Sequence, residues 1–192
     1  QIQARPSMMN PVAMSDGSQT AKEMLDVPAA FRRQLEGLYE KYLKLQVALA
    51  DDRVNEAKTA FAQLPAAIES PDVGLLEGRV AEAWYAARAK LKRAFAGDWK
   101  SIDVEELRKR YQLISKAMLD IVERFGHTQD AGLHRAYCPM AFENKGAAWL
   151  QAGKTIANPY FGHKMLRCGK IQRDFPAVAD KPPASSAKEA RP

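Results

Sequence analysis

SIDVEELRKRYQLISKAMLDIVERFG, residues 101–126, decides the fold class of this chain. Leu107, Tyr111, Ile114, Met118, Ile121 and Phe125 recur at spacings of four and three, which places them on one face of a helix. Ser101 or Asp103 supplies an N-cap, Glu105 and Glu106 suit the positive end of the helix dipole, and Gly126 ends the run.

Three further stripes lie upstream. Phe31, Leu35, Leu38, Tyr42, Leu45 and Leu49 trace a long helix. Asp51 and Asp52 offer a break and a new N-cap, after which Val54, Ala57, Phe61 and Leu64 mark a shorter helix that Pro65 and Ser70-Pro71 terminate. Leu76, Val80, Trp84, Ala87, Leu91 and Phe95 form the next stripe, stopped by Gly97-Asp98. Four amphipathic helices with short connections pack most simply as an antiparallel four-helix up-and-down bundle, so the expected fold is mainly α. Each large apolar side chain buried contributes roughly 1.5–3 kcal/mol, enough for such a bundle to stand without a metal.

From His127 to Ile171 the helical period is lost, and Gly132, Pro139, Gly146, Gly153, Pro159, Gly162 and Gly169 punctuate the chain. The expectation is an irregular C-terminal Cys/Met loop segment, with a helical turn near 146–150 or a short β-hairpin as local alternatives, and irregular stretches of this length often carry function. The domain scheme is a flexible lead-in over 1–22, the bundle with its metal-site loop over 23–175, and a disordered tail over 176–192.

Charge and composition narrow the function. The net charge of +6 among 192 residues is modest, and the basic residues alternate with carboxylates without interleaved aromatics, which argues against nucleic acid. No apolar run is long enough for a transmembrane segment. The chain lacks a phosphate-binding glycine loop, a Gly-x-Ser-x-Gly elbow and a Cys-x-x-Cys pair. Cys138 and His134 form a conceivable nucleophile and base, but no orienting group or oxyanion site accompanies them, so no enzyme is expected.

Chemistry concentrates instead in Tyr137-Cys138-Pro139-Met140 and Met165-Leu166-Arg167-Cys168. Proline after Cys138 favours extended backbone there, and a period of two then puts His134, Cys138 and Met140 on one side. Met165 and Cys168, three apart between glycines, share the side of a turn, with His163 close in sequence. Thiolates with thioethers suit copper(I) or silver(I) better than zinc. A Cys138–Cys168 disulfide is the structural alternative. It would close a loop worth about 3.5 kcal/mol on the chain-entropy model, and spacing alone leaves these two readings level, with a pair of buried free thiols as a third. Met8, Met9 and Met14 in the lead-in offer a second, transient copper(I) site, and His127 reads as a helix-end histidine favoured by the dipole.

Tyr137-Cys138-Pro139-Met140-Ala141, Gly146-Ala147-Ala148-Trp149-Leu150, Asn158-Pro159-Tyr160-Phe161-Gly162 and Met165-Leu166-Arg167-Cys168-Gly169 together resemble a bacterial domain-of-unknown-function family. That family occurs alone or at the C-terminus of CusB-like periplasmic adaptor subunits of RND heavy-metal efflux systems. The resemblance runs from about residue 30 to 172, and the opening residues 1–7 look like the segment that follows the last β-rich domain of such adaptors. It implies the C-terminal part of a longer periplasmic adaptor. It also implies copper(I) or silver(I) held by Cys138, Met140, Met165 and Cys168, with His134 as an added ligand. The implied partners are the RND pump and the other adaptor subunits. The same residues resemble small heavy-metal modules of copper pumps, but those carry a His after their Met where this chain has Ala141. The resemblance tips the balance from disulfide to metal, and a disulfide-stapled protein-interaction module of the adaptor remains the rival.

Overall fold

A computed structural model describes residues 23–179. The described residues are mainly helical, with five helices and a small antiparallel sheet: α1 (Ala29–Gln34), α2 (Glu36–Ala50), α3 (Val54–Glu69), α4 (Gly78–Arg93), α5 (Val104–Phe125), then β1 (Leu133–Cys138), β2 (Ala147–Ala152) and β3 (Lys170–Phe175). The first apolar stripe is bent at Leu35, whose N–H bonds Arg32 O three residues back, so α1 and α2 share one stripe across a kink. α2 packs on α3 and α4 on α5, while the sheet lies against α5 and α2. Phe31, Trp84 and Phe125 join α1, α4 and α5 through edge-on and tilted ring contacts at 5.2–6.3 Å.

Several boundaries differ from those the sequence suggests. Pro65 lies inside α3, because Ile68 one turn beyond Leu64 is buried and extends the stripe past the proline. Asp52 does not cap α3. It occupies the left-handed position after α2 at φ 54°, where Arg53 N closes back on Ala48 O, the arrangement that usually ends a helix on glycine. Phe95 falls beyond α4 and packs tilted against Phe61 at 4.6 Å. Asp103, rather than Ser101, caps α5 by accepting from Glu106 N at 2.8 Å.

The largest correction concerns residues 127–175. The expected irregular segment contains a three-stranded sheet in the order β2-β1-β3, antiparallel throughout, and residues 147–150 belong to strand β2 rather than a helical turn. β1 pairs Tyr137 with Ala148 and Ala136 with Trp149 on one side, and Leu133 with Phe175 on the other. The register with β3 slips between Arg135 and Ala136, leaving Gln172 as the extra residue of a bulge. Ala147, Trp149, Leu150 and Gln151 are all buried, so β2 is covered on both faces and shows no polar–apolar alternation to read. Beyond β3, Val178 N donates to His127 O at 2.8 Å. No helix among the described residues is long and apolar enough to cross a membrane.

Tyr42 joins helices to sheet. Its hydroxyl accepts from Leu150 N at 3.0 Å and from Tyr111 Oη at 2.7 Å, which leaves its own proton for Ser115 Oγ at 2.9 Å. The Tyr42 and Tyr111 rings stack at 5.4 Å. Tyr42→Phe removes three buried hydrogen bonds and orphans a strand N–H, an expected loss of about 2–3 kcal/mol in urea melts.

Burial pushes the Tyr42 phenol up to about 12, and burial first among causes holds Tyr39, Tyr111 and Tyr160 well above the usual phenol range. Raised folded values favour the protonated fold, so this contribution is whole below the unfolded phenol pKa near 10 and is lost as pH rises through the folded values. Denaturant melts should therefore show stability falling above about pH 10, by up to about 1.4 kcal/mol per pH unit for each buried phenol. Phenolate absorbance of these four residues should appear together with unfolding.

Candidate metal or dithiol centre

Cys138 closes β1 and Cys168 precedes β3, and the fold sets their Sγ atoms 3.2 Å apart as free thiols. Cys138 is fully buried and Cys168 half-buried. Three devices create this meeting. Gly169, at φ 139°, lets the chain pass so close to β1 that a Cβ there would stand 2.9 Å from Tyr137 O and 3.1 Å from the Trp149 ring. Asn158, buried, donates from Nδ2 to Cys168 O at 2.8 Å and accepts from Tyr160 N at 2.9 Å, while its own N–H bonds Leu166 O at 2.9 Å. The loop they hold is fixed to the helices by Asp52, which accepts from His163 N at 2.8 Å and from Arg108 at 2.6 Å; Arg108 also donates to Pro159 O at 3.0 Å. Gly162, at φ 61°, is packed so tightly on the Asp52 carboxylate that a Cβ would overlap it.

A hydrogen bond with Cys138 and, after it, burial raise the Cys168 thiol above the ordinary thiol range. Cys168 therefore lacks the lowered thiol pKa of a catalytic or readily oxidised cysteine. Asp52 is held below the usual carboxylate range chiefly by the His163 N–H.

The remaining residues singled out in the sequence disperse. His134 shares a face with Cys138 by strand alternation but stands four residues away, about 13 Å along the strand, too far to share an ion with it. Its Nδ1 instead meets Asp174 Oδ1 at 2.8 Å. Met140 leaves the strand, because β1 ends at Cys138 and Met140 is already helical at φ −86°, ψ −12°, so the period of two does not reach it; it is 46% exposed. Met165 is half-buried at the end of the short helical turn Gly162–Met165, whose i→i+3 geometry brings Cys168 N to Met165 O at 2.9 Å. His163 extends outward and pairs with Asp52 at 3.3 Å. His127 is buried, donating from Nε2 to Phe175 O at 2.8 Å, while its Nδ1 finds no partner among the described residues. Met8, Met9 and Met14 lie outside the described residues. Among those residues, no three His, Cys, Asp or Glu side chains cluster to hold a metal ion.

Between Cys138 and β2 the chain makes a left-handed turn. Phe142, Glu143 and Asn144 take φ values of 52°, 59° and 64°, a conformation costing roughly 1–2 kcal/mol per residue with a Cβ, least for Asn. Phe142 packs edge-on to Tyr160 at 5.2 Å, and Gly146, at φ 74°, receives the Tyr137 phenol where a side chain would stand.

A family described as Protein of unknown function (DUF3347) matches residues 38–130, just under half of the chain. The match begins within α2 and ends before β1, so it covers most of α2 and all of α3, α4 and α5, and none of the Cys138–Cys168 sheet. No curated protein and no solved structure matches the chain.

Sequence reasoning missed Asp52, Arg108, Gly169 and the clamping role of Asn158. Only the Asn158-Pro159 dipeptide carried a local signal, as a turn former. Gly169→Ala is expected to push Cys168 off β1 and, in a timed oxidation followed by free-thiol counting, to slow Cys138–Cys168 disulfide formation at least about tenfold, the equivalent of 1.4 kcal/mol.

Proposed function

We propose that this protein handles a soft monovalent metal ion, copper(I) or silver(I), as cargo held between the Cys138 and Cys168 thiolates. The pair of thiols 3.2 Å apart carries the reading. Two thiolates bound to one ion at about 2.3 Å each lie up to about 4.6 Å apart, so ion entry needs side-chain rotation of about an ångström and no change of fold. Sulfur donors joined, among the described residues, by no third His, Cys, Asp or Glu suit copper(I) or silver(I), whereas a structural zinc site calls for four such ligands. Met165, one turn from Cys168, and Met140, at the surface, supply thioethers for exchange. His134 is left out of the set, since Asp174 engages it.

The resemblance of the Cys-Pro-Met and Met-x-x-Cys segments to the C-terminal module of CusB-like adaptors supports a periplasmic setting, with the RND pump and adaptor subunits as recipients. No bond of the cargo is made or broken beyond ligand exchange, so the protein acts as a carrier and not as an enzyme. In the competing reading the same thiols form a disulfide that staples an interaction module. That reading needs them to close by about 1.2 Å to bonding distance.

Competitive copper(I) titration of the reduced protein should show one site, lost in the Cys138→Ser, Cys168→Ser double variant. Equal affinity of parent and variant, or the absence of titratable thiols in the protein as isolated without reductant, would give the disulfide reading the field. Because both thiols must release protons, apparent affinity should rise with pH through neutrality, by up to about tenfold per pH unit for each thiol still protonated.

A further inference from the structure

The two thiols stand closer together than a linear ion requires. Sulfurs joined to one atom at about 2.3 Å each lie about 4.6 Å apart in a linear complex and about 4.0 Å apart in a planar three-coordinate one. At the observed 3.2 Å the angle at the shared atom is close to a right angle. The fold holds this separation from both sides. Cys138 is fixed in β1 by its pairing with Ala147, while Cys168 is held at its carbonyl by Asn158 Nδ2 and at its N–H by Met165 O. Gly169 then lets the chain lie against Tyr137 O. An atom with near-right-angled bonds meets both sulfurs where the fold already puts them, and groups placed in advance bind more tightly than groups that must move.

Trivalent arsenic and antimony have this shape, because three single bonds and a lone pair form a steep pyramid. Both are soft and favour sulfur over oxygen and nitrogen. Among the described residues no third His, Cys, Asp or Glu joins the pair, so the third bond is left to a group the ligand brings with it. We infer that the Cys138–Cys168 pair is a binding site for trivalent arsenic or antimony, held by two sulfur bonds with the third valence kept by a hydroxyl or organic group. This rests on the reading of the pair as a reduced binding site and adds a second class of cargo to the soft monovalent ions. In the step, each thiol sulfur forms a bond to arsenic as one arsenic–oxygen bond breaks, and the departing hydroxide takes that thiol's proton and leaves as water. One arsenous acid and two thiols thus give one dithiol adduct and two waters, with no change of oxidation state. Cys138 is fully buried and Cys168 half-buried, so solvent reaches the pair through Cys168.

Phenylarsine oxide, which offers arsenic two exchangeable valences, is the probe. The reduced protein, its two thiols counted beforehand, should lose both to one equivalent and give a one-to-one adduct by mass spectrometry. Measured against a competing small dithiol, the folded protein should bind at least about a hundredfold more tightly than the same chain in urea, because folding has already closed the 30-residue separation between the sulfurs. Cys138→Ser and Cys168→Ser should each weaken binding to a similar degree; Cys168→Ser changes a half-buried residue and keeps the comparison should Cys138→Ser fail to fold. Equal affinity of the folded and unfolded chains, or of the parent and Cys168→Ser, would overturn the inference. Failure with the arsenical beside a successful copper(I) titration removes this class of cargo alone, and the reverse outcome removes only the monovalent ion.

Discussion

The hydroxyl of Tyr42 is the constraint on which the arrangement of helices and sheet depends. It sits where α2, α5 and the outer strand β2 meet, and it answers the outward-facing Leu150 N–H of a strand that has no neighbour on that side. A buried strand edge with unpaired backbone donors costs a folded protein dearly. Here a helix side chain supplies the missing acceptor, and Ser115 and Tyr111 on α5 complete the hydroxyl's own needs. The consequence is a fixed position for β2 against the helices. Through the β1–β2 ladder, the position of Cys138 is fixed as well.

The second thiol arrives by a separate route. The loop between β2 and β3 is tied at its base by Asn158, whose side chain reaches Cys168 O, and at its tip by Asp52, whose left-handed backbone is itself the end of α2. Gln46 on α2 adds a bond to Ala157 O, and Gln151 gathers Gly153 O and Thr155 O. A loop with its polar groups satisfied in this way behaves as part of the scaffold, and precise placement of a binding group requires such support. Glycine at 162 and 169 then permits the two approaches that a side chain would block.

This construction gives the two thiols unequal lives. Cys138 is fully buried near Tyr160, while Cys168 is half-buried and keeps its proton more firmly than an ordinary thiol. A thiol raised in this way is slow to act as a nucleophile at neutral pH. The family match stops short of this sheet, so the Cys138–Cys168 pair lies outside the part of the chain that similarity to a described family covers.

The helices were legible in the sequence because their information is local: a stripe at spacings of three and four, an acidic cap and a glycine stop are all set within one helix, as residues 101–126 illustrate. The cysteines were legible as candidates for the same reason, being rare and set among prolines and glycines. The sheet was not, because β2 is covered on both faces and lacks alternation, β3 is mostly exposed with few apolar residues, and the glycines and prolines flanking the strands read as loop. His134 and Met140 were grouped with Cys138 by a strand period that ignores distance along the strand and the place where the strand ends. By itself the sequence determined which segments coil into helices and which side chains could bind a soft ion. Tertiary structure alone decided that Cys138 and Cys168 touch while His134 does not join them, because that outcome depends on contacts made by Tyr42, Asp52, Arg108 and Asn158 across large separations in the chain, which no local pattern records.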